Sequence, residues 1–221
     1  MHKETTLKIA ILGGTGNEGF GLGFRWALFG HEIIIGSRMT EKGAQAAARM
    51  KELAPDGVIS GTNNLSAAEQ AELVVLSVPY AAQEATLDAV ISALPGKLLL
   101  TVVAPTGEKA ARVMRLPSGL SAAEEAQRQV GDSTRVVAAF QNIGAHHLLD
   151  ADHKMDCDVL VCGDKGADKK IAIQLSEEAG MRGINAGALQ NASVAEGLTS
   201  VLIAINIIHK VKSAGIRISG L

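Results

Sequence analysis

The amino-acid sequence predicts an α/β fold with a doubly wound parallel sheet, and three observations support this. Short β-branched runs alternate with alanine-rich helical stretches from the start of the chain to about residue 140, as βαβ units require. The 221 residues are 47% hydrophobic but only 3% aromatic, which indicates an aliphatic core. A glycine-rich turn also follows the first apolar run directly.

The predicted elements follow one another in the order of such a fold. Strands are expected at residues 7–12, 32–36, 58–61, 73–78, 98–102 and 136–139. Helices are expected at residues 17–29, 40–53, 66–71, 81–94 and 121–130. Two of these helices begin with a Ser-x-x-Glu capping box, formed by Ser66 with Glu69 and by Ser121 with Glu124. A polar segment at 106–119 is expected to be a long loop after a strand.

The sequence divides into a main domain over residues 1–144 and a small α/β domain over 145–221. The second domain is predicted to contain strands at 159–162 and 183–186, and helices at 168–179 and 191–212. The last helix is apolar nearly all round, so we expect the body of the protein or a second subunit to bury it. A homodimer is therefore predicted.

The charge and hydropathy patterns exclude several classes of protein. A net charge of −2 provides no basic field for nucleic acid or an anionic membrane surface. The longest uninterrupted apolar runs, such as 98–104, are far shorter than a bilayer span, and no secretory signal is expected. We expect a cytoplasmic protein whose Cys157 and Cys162 are ordinary buried strand residues.

The glycine-rich turn has the Gly-x-Gly-x-x-Gly spacing of dinucleotide-binding proteins, with Gly14, Gly16 and Gly19 between a strand and a helix. In this motif the first glycine permits a tight turn, the second lets the backbone approach a pyrophosphate, and the third lets helix and sheet pack closely. The helix N-terminus then offers free amides and a partial positive charge to the phosphates. The sequence therefore predicts a Rossmann-type dinucleotide site.

The end of the second strand predicts which dinucleotide is bound. Rossmann proteins that use NAD place Asp or Glu there to bind the ribose hydroxyls, but this chain has Ser37 and Arg38, with Lys42 nearby. A hydroxyl and two cations suit the 2′-phosphate of NADP. Other strand ends should surround the nicotinamide, because ligands lie at the carboxyl edge of an open parallel sheet. The candidates at those ends are Ser77, Pro79, Val103, Ala139 and Asn142.

Several catalytic groups are missing from the sequence. The only tyrosine, Tyr80, is followed by Glu84 where short-chain dehydrogenases need a lysine. His146, His147 and His153 lack the carboxylates and spacing of a metal site, so no metal is predicted. A nicotinamide site without an evident acid or base indicates that hydride passes between two bound coenzymes.

Motifs along nearly the whole chain resemble the NADPH-dependent F420 reductases. They are the glycine turn 13–19, the segments 30–32 and 36–38, the Val-Cys-Gly-Asp at 161–164 and the Val-Ala-Glu-Gly-Leu-Thr at 194–199. The resemblance implies a small Rossmann protein that transfers hydride between C4 of NADP(H) and C5 of the deazaflavin coenzyme F420. It further implies an NADP site that includes Thr15, Gly16, Asn17 and Glu18, and a deazaflavin near Asn142, Ile143, Gly215 and Ile216.

Two departures and two alternatives accompany this prediction. The chain has Gln-Asn-Ile-Gly at 141–144 and Asn-Ala-Gly-Ala at 185–188, where some members of the family have His-Thr-Ile-Pro and Asp-Ala-Gly-Pro. Both changes fall on the expected deazaflavin side. The alternatives are an NADPH-dependent flavin or ferric reductase, and a non-catalytic protein that senses NADP.

Overall fold

One sheet of eight strands organises the structure, a computed structural model that describes residues 6–221. The strands lie in the order β3-β2-β1-β4-β5-β6-β7-β8. Their bounds are β1 Lys8–Leu12, β2 Glu32–Ser37, β3 Ile59–Asn63, β4 Leu73–Leu76, β5 Leu98–Thr101, β6 Arg135–Ala138, β7 Asp158–Gly163 and β8 Arg182–Asn185. The first six strands are mutually parallel, so the predicted α/β fold is confirmed.

Helices cover the sheet. They are α1 Asn17–Leu28, α2 Thr40–Leu53, α3 Asn64–Gln70, α4 Gln83–Asp88, α5 Ala122–Val130, α6 Gly166–Glu178 and α7 Ala192–His209. Strands β1, β4 and β5 are apolar on both faces and almost wholly buried, as parallel strands between two helical layers must be. The order of the strands reverses between β1 and β4, and this switch point is where ligands bind in folds of this type.

The C-terminal segment extends the same sheet. Strand β7 pairs antiparallel with β6, and β8 then pairs parallel with β7. Trp26 of α1 connects the two segments, because its indole lies edge-on to Phe140 at 5.9 Å and donates a hydrogen bond to the Leu175 carbonyl at 2.9 Å. The predicted domain boundary between residues 144 and 145 stays a prediction. Residues on both sides of it belong to the same sheet and to the same buried hydrophobic cluster.

Several local predictions were wrong. The helix expected over 81–94 ends at Asp88, because Val90 leaves the helical region with φ −124° and is fully buried. Helix α3 begins at Asn64 rather than at Ser66, and the Asn63 side chain caps it by accepting the Ser66 amide at 2.9 Å. The predicted capping box of Ser66 with Glu69 was therefore wrong, because Ser66 lies inside the helix. The capping box of Ser121 and Glu124 is confirmed at the start of α5.

Helix α7 buries one face and exposes the other. Ala195, Glu196 and Leu202 are buried, whereas Val194 and Ile208 are 65% and 71% exposed. Together with the turn before it, α7 forms the one helix within residues 6–221 that is long and apolar enough to cross a membrane, by length and composition alone. A search for uninterrupted apolar runs misses it, because Glu196 and small polar residues divide the helix.

Candidate functional site

The turn after β1 places Gly13 and Gly14 where a side chain would not fit. Gly13 has φ +72°, and a Cβ on it would lie 2.5 Å from the Ser77 carbonyl oxygen. The Gly14 amide donates to the carbonyls of Ile11 and Gly36, at 3.1 and 3.2 Å, which connects the turn to the end of β2. Gly13 is thus the residue of this turn that needs a left-handed conformation, and Gly14 is needed for space, because a Cβ on it would lie 2.9 Å from the Ile11 carbonyl oxygen.

Of the next two glycines, Gly19 has the packing role that the motif predicts, while the approach of a pyrophosphate to Gly16 stays a prediction. Gly16 precedes α1 with an extended backbone, and a Cβ on it would meet only the Gly13 carbonyl oxygen, at 3.6 Å. Gly19 packs α1 onto the sheet, because a Cβ there would lie 2.8 Å from Ser77 Oγ. The first amides of α1, which include those of Asn17 and Glu18, have no acceptor within the helix. These amides are available to an anionic ligand at the open side of the turn.

A cleft of about 710 Å³ opens beside this turn, at the carboxyl ends of β1, β2 and β4. We call it the dinucleotide cleft. Its lining residues are Gly13, Thr15, Gly16, Ser37, Arg38, Met39, Lys42, Asn64, Ser77, Val78, Pro79, Ala82 and Thr86. The dinucleotide cleft therefore contains seven of the residues that were predicted from the sequence to bind a coenzyme. They are Thr15, Gly16, Ser37, Arg38, Lys42, Ser77 and Pro79.

The charge of the dinucleotide cleft is positive at one end. Arg38 and Lys42 both line it, and no Asp or Glu is among its lining residues. Glu18, on the first turn of α1, lies outside this lining, and burial raises the pKa of its carboxyl to about 8. A phosphate group would thus meet two cations and no opposing carboxylate from the walls of the cleft.

The remaining predicted residues lie elsewhere. Gly14, Val103 and Ala139 are buried, the last two with their side chains in the core. Asn142 is 1% exposed, and its amide spans to β7, donating to the Asp158 carbonyl at 2.7 Å and accepting from the Leu160 amide at 3.4 Å. Whether any of these four contacts a coenzyme stays a prediction.

The C-terminal candidates lie together beyond β6. The Ile216 carbonyl accepts the Asp158 amide at 2.8 Å, which places Ile216 next to the strand that holds Asn142. Gly215 lines a small surface pocket with Gly144 and His147, and this pocket shares no residue with the dinucleotide cleft. The residues predicted to contact the deazaflavin therefore do not lie in one continuous cleft with those predicted to contact the nicotinamide.

A second cleft of about 350 Å³ lies between the long loop after β5 and helix α7. We call it the α7 cleft. It is lined by Pro105, Val113, Met114, Arg115, Leu116, Gly119, Leu120, Ser121, Ser193, Glu196 and Gly197. Glu196 holds its two walls together by accepting the amides of Ala122 and Ala123, at 2.8 and 3.0 Å. Burial, only partly offset by these bonds, raises the pKa of Glu196 to about 7.

Known proteins similar to this chain were found at the level of family, sequence and structure. Residues 8–105 match the family described as NADP oxidoreductase coenzyme F420-dependent. The F420-dependent NADP reductase of Methanothermobacter marburgensis is 45% identical, over 97% of this chain and 99% of its own length. The chain belongs to the F420-dependent NADP reductase family. A second reductase of this name, from Methanocaldococcus jannaschii, is 40% identical over the same share of each chain.

The fold of the F420-dependent NADP reductase family is also found among solved structures. A putative F420-dependent NADP reductase from an Arthrobacter species superimposes with a TM-score of 0.79 and 26% identity, covering 96% of this chain and 99% of its own. The Plasmodium falciparum pyrroline carboxylate reductase with NADP bound has a TM-score of 0.61 at 12% identity, over 92% of this chain and 66% of its own. At that identity the likeness shows the fold alone.

The sequence analysis assigned no role to Asn64 of the dinucleotide cleft or to Glu196 of the α7 cleft. Asn64 lies in the dinucleotide cleft, but β3 was predicted to end at Gly61, so that Asn64 did not stand out at a strand end. Glu196 belonged to a motif of the resemblance, yet no role was assigned to it. The signal for it was a lone acid in an otherwise uncharged helix.

Proposed function

We propose that this protein is an oxidoreductase that transfers a hydride directly between C4 of NADP(H) and C5 of coenzyme F420, with the two rings stacked. The observation that carries the proposal is the dinucleotide cleft, which combines a glycine turn with two cations and no acid in a chain of this family. Hydride leaves the nicotinamide with both electrons, C5 of the deazaflavin accepts it, and a solvent proton completes the reduced ring.

The residues of the dinucleotide cleft fit NADP. The glycine turn and the first amides of α1 accommodate the pyrophosphate, because no side chain obstructs them. Ser37, Arg38 and Lys42 bind the 2′-phosphate, and Ser77 and Pro79 at the end of β4 direct the nicotinamide toward the neighbouring strand β5. The protein thus supplies position and electrostatics rather than a general acid or base.

The α7 cleft supports a site for the second coenzyme. It begins at Pro105, just after β5, and β5 is the strand beside β4. Its apolar wall of Val113, Met114, Leu116 and Leu120 suits a flat ring, and Arg115 suits the anionic tail of a deazaflavin. The predicted contacts of Asn142, Ile143, Gly215 and Ile216 are less favoured, because the Asn142 amide is already committed to β7.

Isotope transfer tests the reaction. NADPH labelled with deuterium at one C4 position is mixed anaerobically with F420 and the enzyme, and the product is examined by mass spectrometry. We expect one C4 epimer to deliver its deuterium to the deazaflavin without exchange with water. Reduction with loss of the label to solvent, or no reduction at ample enzyme, would contradict the proposal, and faster turnover of FMN would support a flavin reductase instead.

The same proposal includes a cytoplasmic homodimer. Val194, Val201 and Ile208 are spaced by seven residues along α7 and are 65%, 43% and 71% exposed. Such a stripe supports an isologous contact with a second copy, since the only charged residue between Val194 and Ile208 is the buried Glu196. The hydrogen bonds between Glu196 and α5 hold α7 against the body of the protein. They therefore favour a second copy of the chain, rather than a lipid bilayer, as the partner of the exposed stripe.

A further inference from the structure

We propose that Asn64 binds the adenosine ribose of NADP(H), with its side-chain oxygen accepting a hydrogen bond from the 3′-hydroxyl. Asn64 is the first residue of α3, directly after β3, and its side chain lines the dinucleotide cleft. The residue is only 8% exposed, and its Oδ1 has no hydrogen-bond partner among the described residues. A buried amide oxygen without a donor is unfavourable, so a ligand that supplies the donor gains free energy there.

The position of this oxygen identifies the part of the ligand that it meets. A Cβ placed on Gly36 would lie 2.8 Å from Asn64 Oδ1, so the amide lies over the end of β2 and requires a glycine beneath it. In Rossmann proteins that bind NAD, the acid after β2 binds the ribose hydroxyls in this region. Asn64 comes from the neighbouring strand connection and offers an acceptor where that acid is missing.

The chemistry of the amide suits the phosphorylated nucleotide. In NADP the 2′-oxygen carries the phosphate, so the 3′-hydroxyl is the remaining donor on that ribose. A neutral amide accepts this hydrogen without repelling the 2′-phosphate that Arg38 and Lys42 attract, whereas a carboxylate would repel it. Asn64 thus adds ribose binding to the cleft without opposing its selectivity.

Neighbouring Asn63 provides a contrast in the same two-residue segment. Its side chain accepts the Ser66 amide at 2.9 Å and caps α3. Its role is therefore within the fold, whereas Oδ1 of Asn64 is buried without a hydrogen-bond partner among the described residues.

The test measures dissociation constants rather than turnover. The full chain carrying Asn64→Leu or Asn64→Asp is titrated with NADPH, NADH, adenosine 2′,5′-bisphosphate and F420. Asn64→Leu should weaken the first three about tenfold, because all three present the 3′-hydroxyl, and leave F420 within about twofold. Asn64→Asp should weaken NADPH and the bisphosphate more than about tenfold, but NADH by less than about threefold.

Other outcomes would overturn the assignment. They are unchanged nucleotide affinity in Asn64→Leu, an equal loss of F420 affinity, or an unchanged ratio of NADPH to NADH affinity in Asn64→Asp. The aspartate variant is nearly isosteric, so it carries the test alone if the leucine variant does not fold. Asn63→Ala is the matched control, which should lower the melting temperature while its nucleotide affinities stay within about twofold.

Discussion

We expect the two cations at the end of β2 to determine which nucleotide the dinucleotide cleft binds. Arg38 and Lys42 line it without an opposing carboxylate, and Ser37 beside them is buried at the strand end. A guanidinium forms charge-assisted hydrogen bonds with a phosphate, which are stronger than bonds between neutral groups. NADH has no 2′-phosphate, so Arg38 should contribute little to its binding.

We therefore expect Arg38→Ala to weaken NADPH about 30-fold and NADH by less than about threefold, as the loss of one charged contact of roughly 2 kcal/mol predicts. Fluorescence titration of both nucleotides measures this difference. Arg128→Ala is the control, since Arg128 is exposed on α5 and lines neither the dinucleotide cleft nor the α7 cleft. Equal losses of NADPH and NADH in Arg38→Ala would remove this role from Arg38.

At the scale of elements, local signals predicted most of the fold. Strand β1, its glycine turn and helix α2 follow from apolar runs and helix formers, and α2 was predicted at its observed bounds. The antiparallel pairing of β7 with β6 could not be predicted, because the direction of a strand depends on pairing between distant segments. For the same reason the sequence indicated the phosphate end of the site, but neither Asn64 nor the α7 cleft, which depend on how separate elements meet.

An ion pair between a buried aspartate and a partly exposed arginine joins β7 to the edge strand β8. Asp158 is fully buried and accepts hydrogen bonds from Arg182 Nε and Nη2, at 2.8 and 2.7 Å, and from the Ile218 amide at 2.6 Å. Chiefly because of Arg182, the pKa of Asp158 is lowered to about 2. A lowered pKa stabilises the fold above the pKa of the unfolded chain, near 4, and this contribution is lost as the pH falls toward 2.

Arg182→Gln should lower the free energy of unfolding at pH 7, by less than the loss of a fully buried pair would, because the Arg182 side chain is 35% exposed. The difference from the wild type should shrink as the pH approaches 2. Urea unfolding at pH 7, 5 and 3 measures this. Arg217→Gln is the control and should lower the free energy of unfolding less, because the Arg217 side chain is 56% exposed. A loss of stability in Arg182→Gln that is the same at all three pH values would contradict this role of the ion pair.

At the scale of the whole molecule, the exposed stripe of α7 predicts an interface. A lysine at its centre would be buried against a second copy, which is unfavourable. If the proposed dimer forms through this stripe, Val201→Lys should convert it to a monomer in sedimentation velocity. Ile91→Lys is the matched control, since Ile91 and Val201 are 41% and 43% exposed, and a monomeric wild type would refute the interface.

We propose that this one chain couples two coenzymes, with NADP(H) bound by the glycine turn and the end of β2, and F420 bound beside the neighbouring strand β5. The most direct test of this claim is anaerobic mixing of NADPH and F420 with the enzyme while the visible absorbance of the deazaflavin is followed. We predict that the absorbance falls as F420 is reduced, and that omission of either NADPH or the enzyme prevents this. Unchanged absorbance with enzyme in stoichiometric amount would contradict the claim.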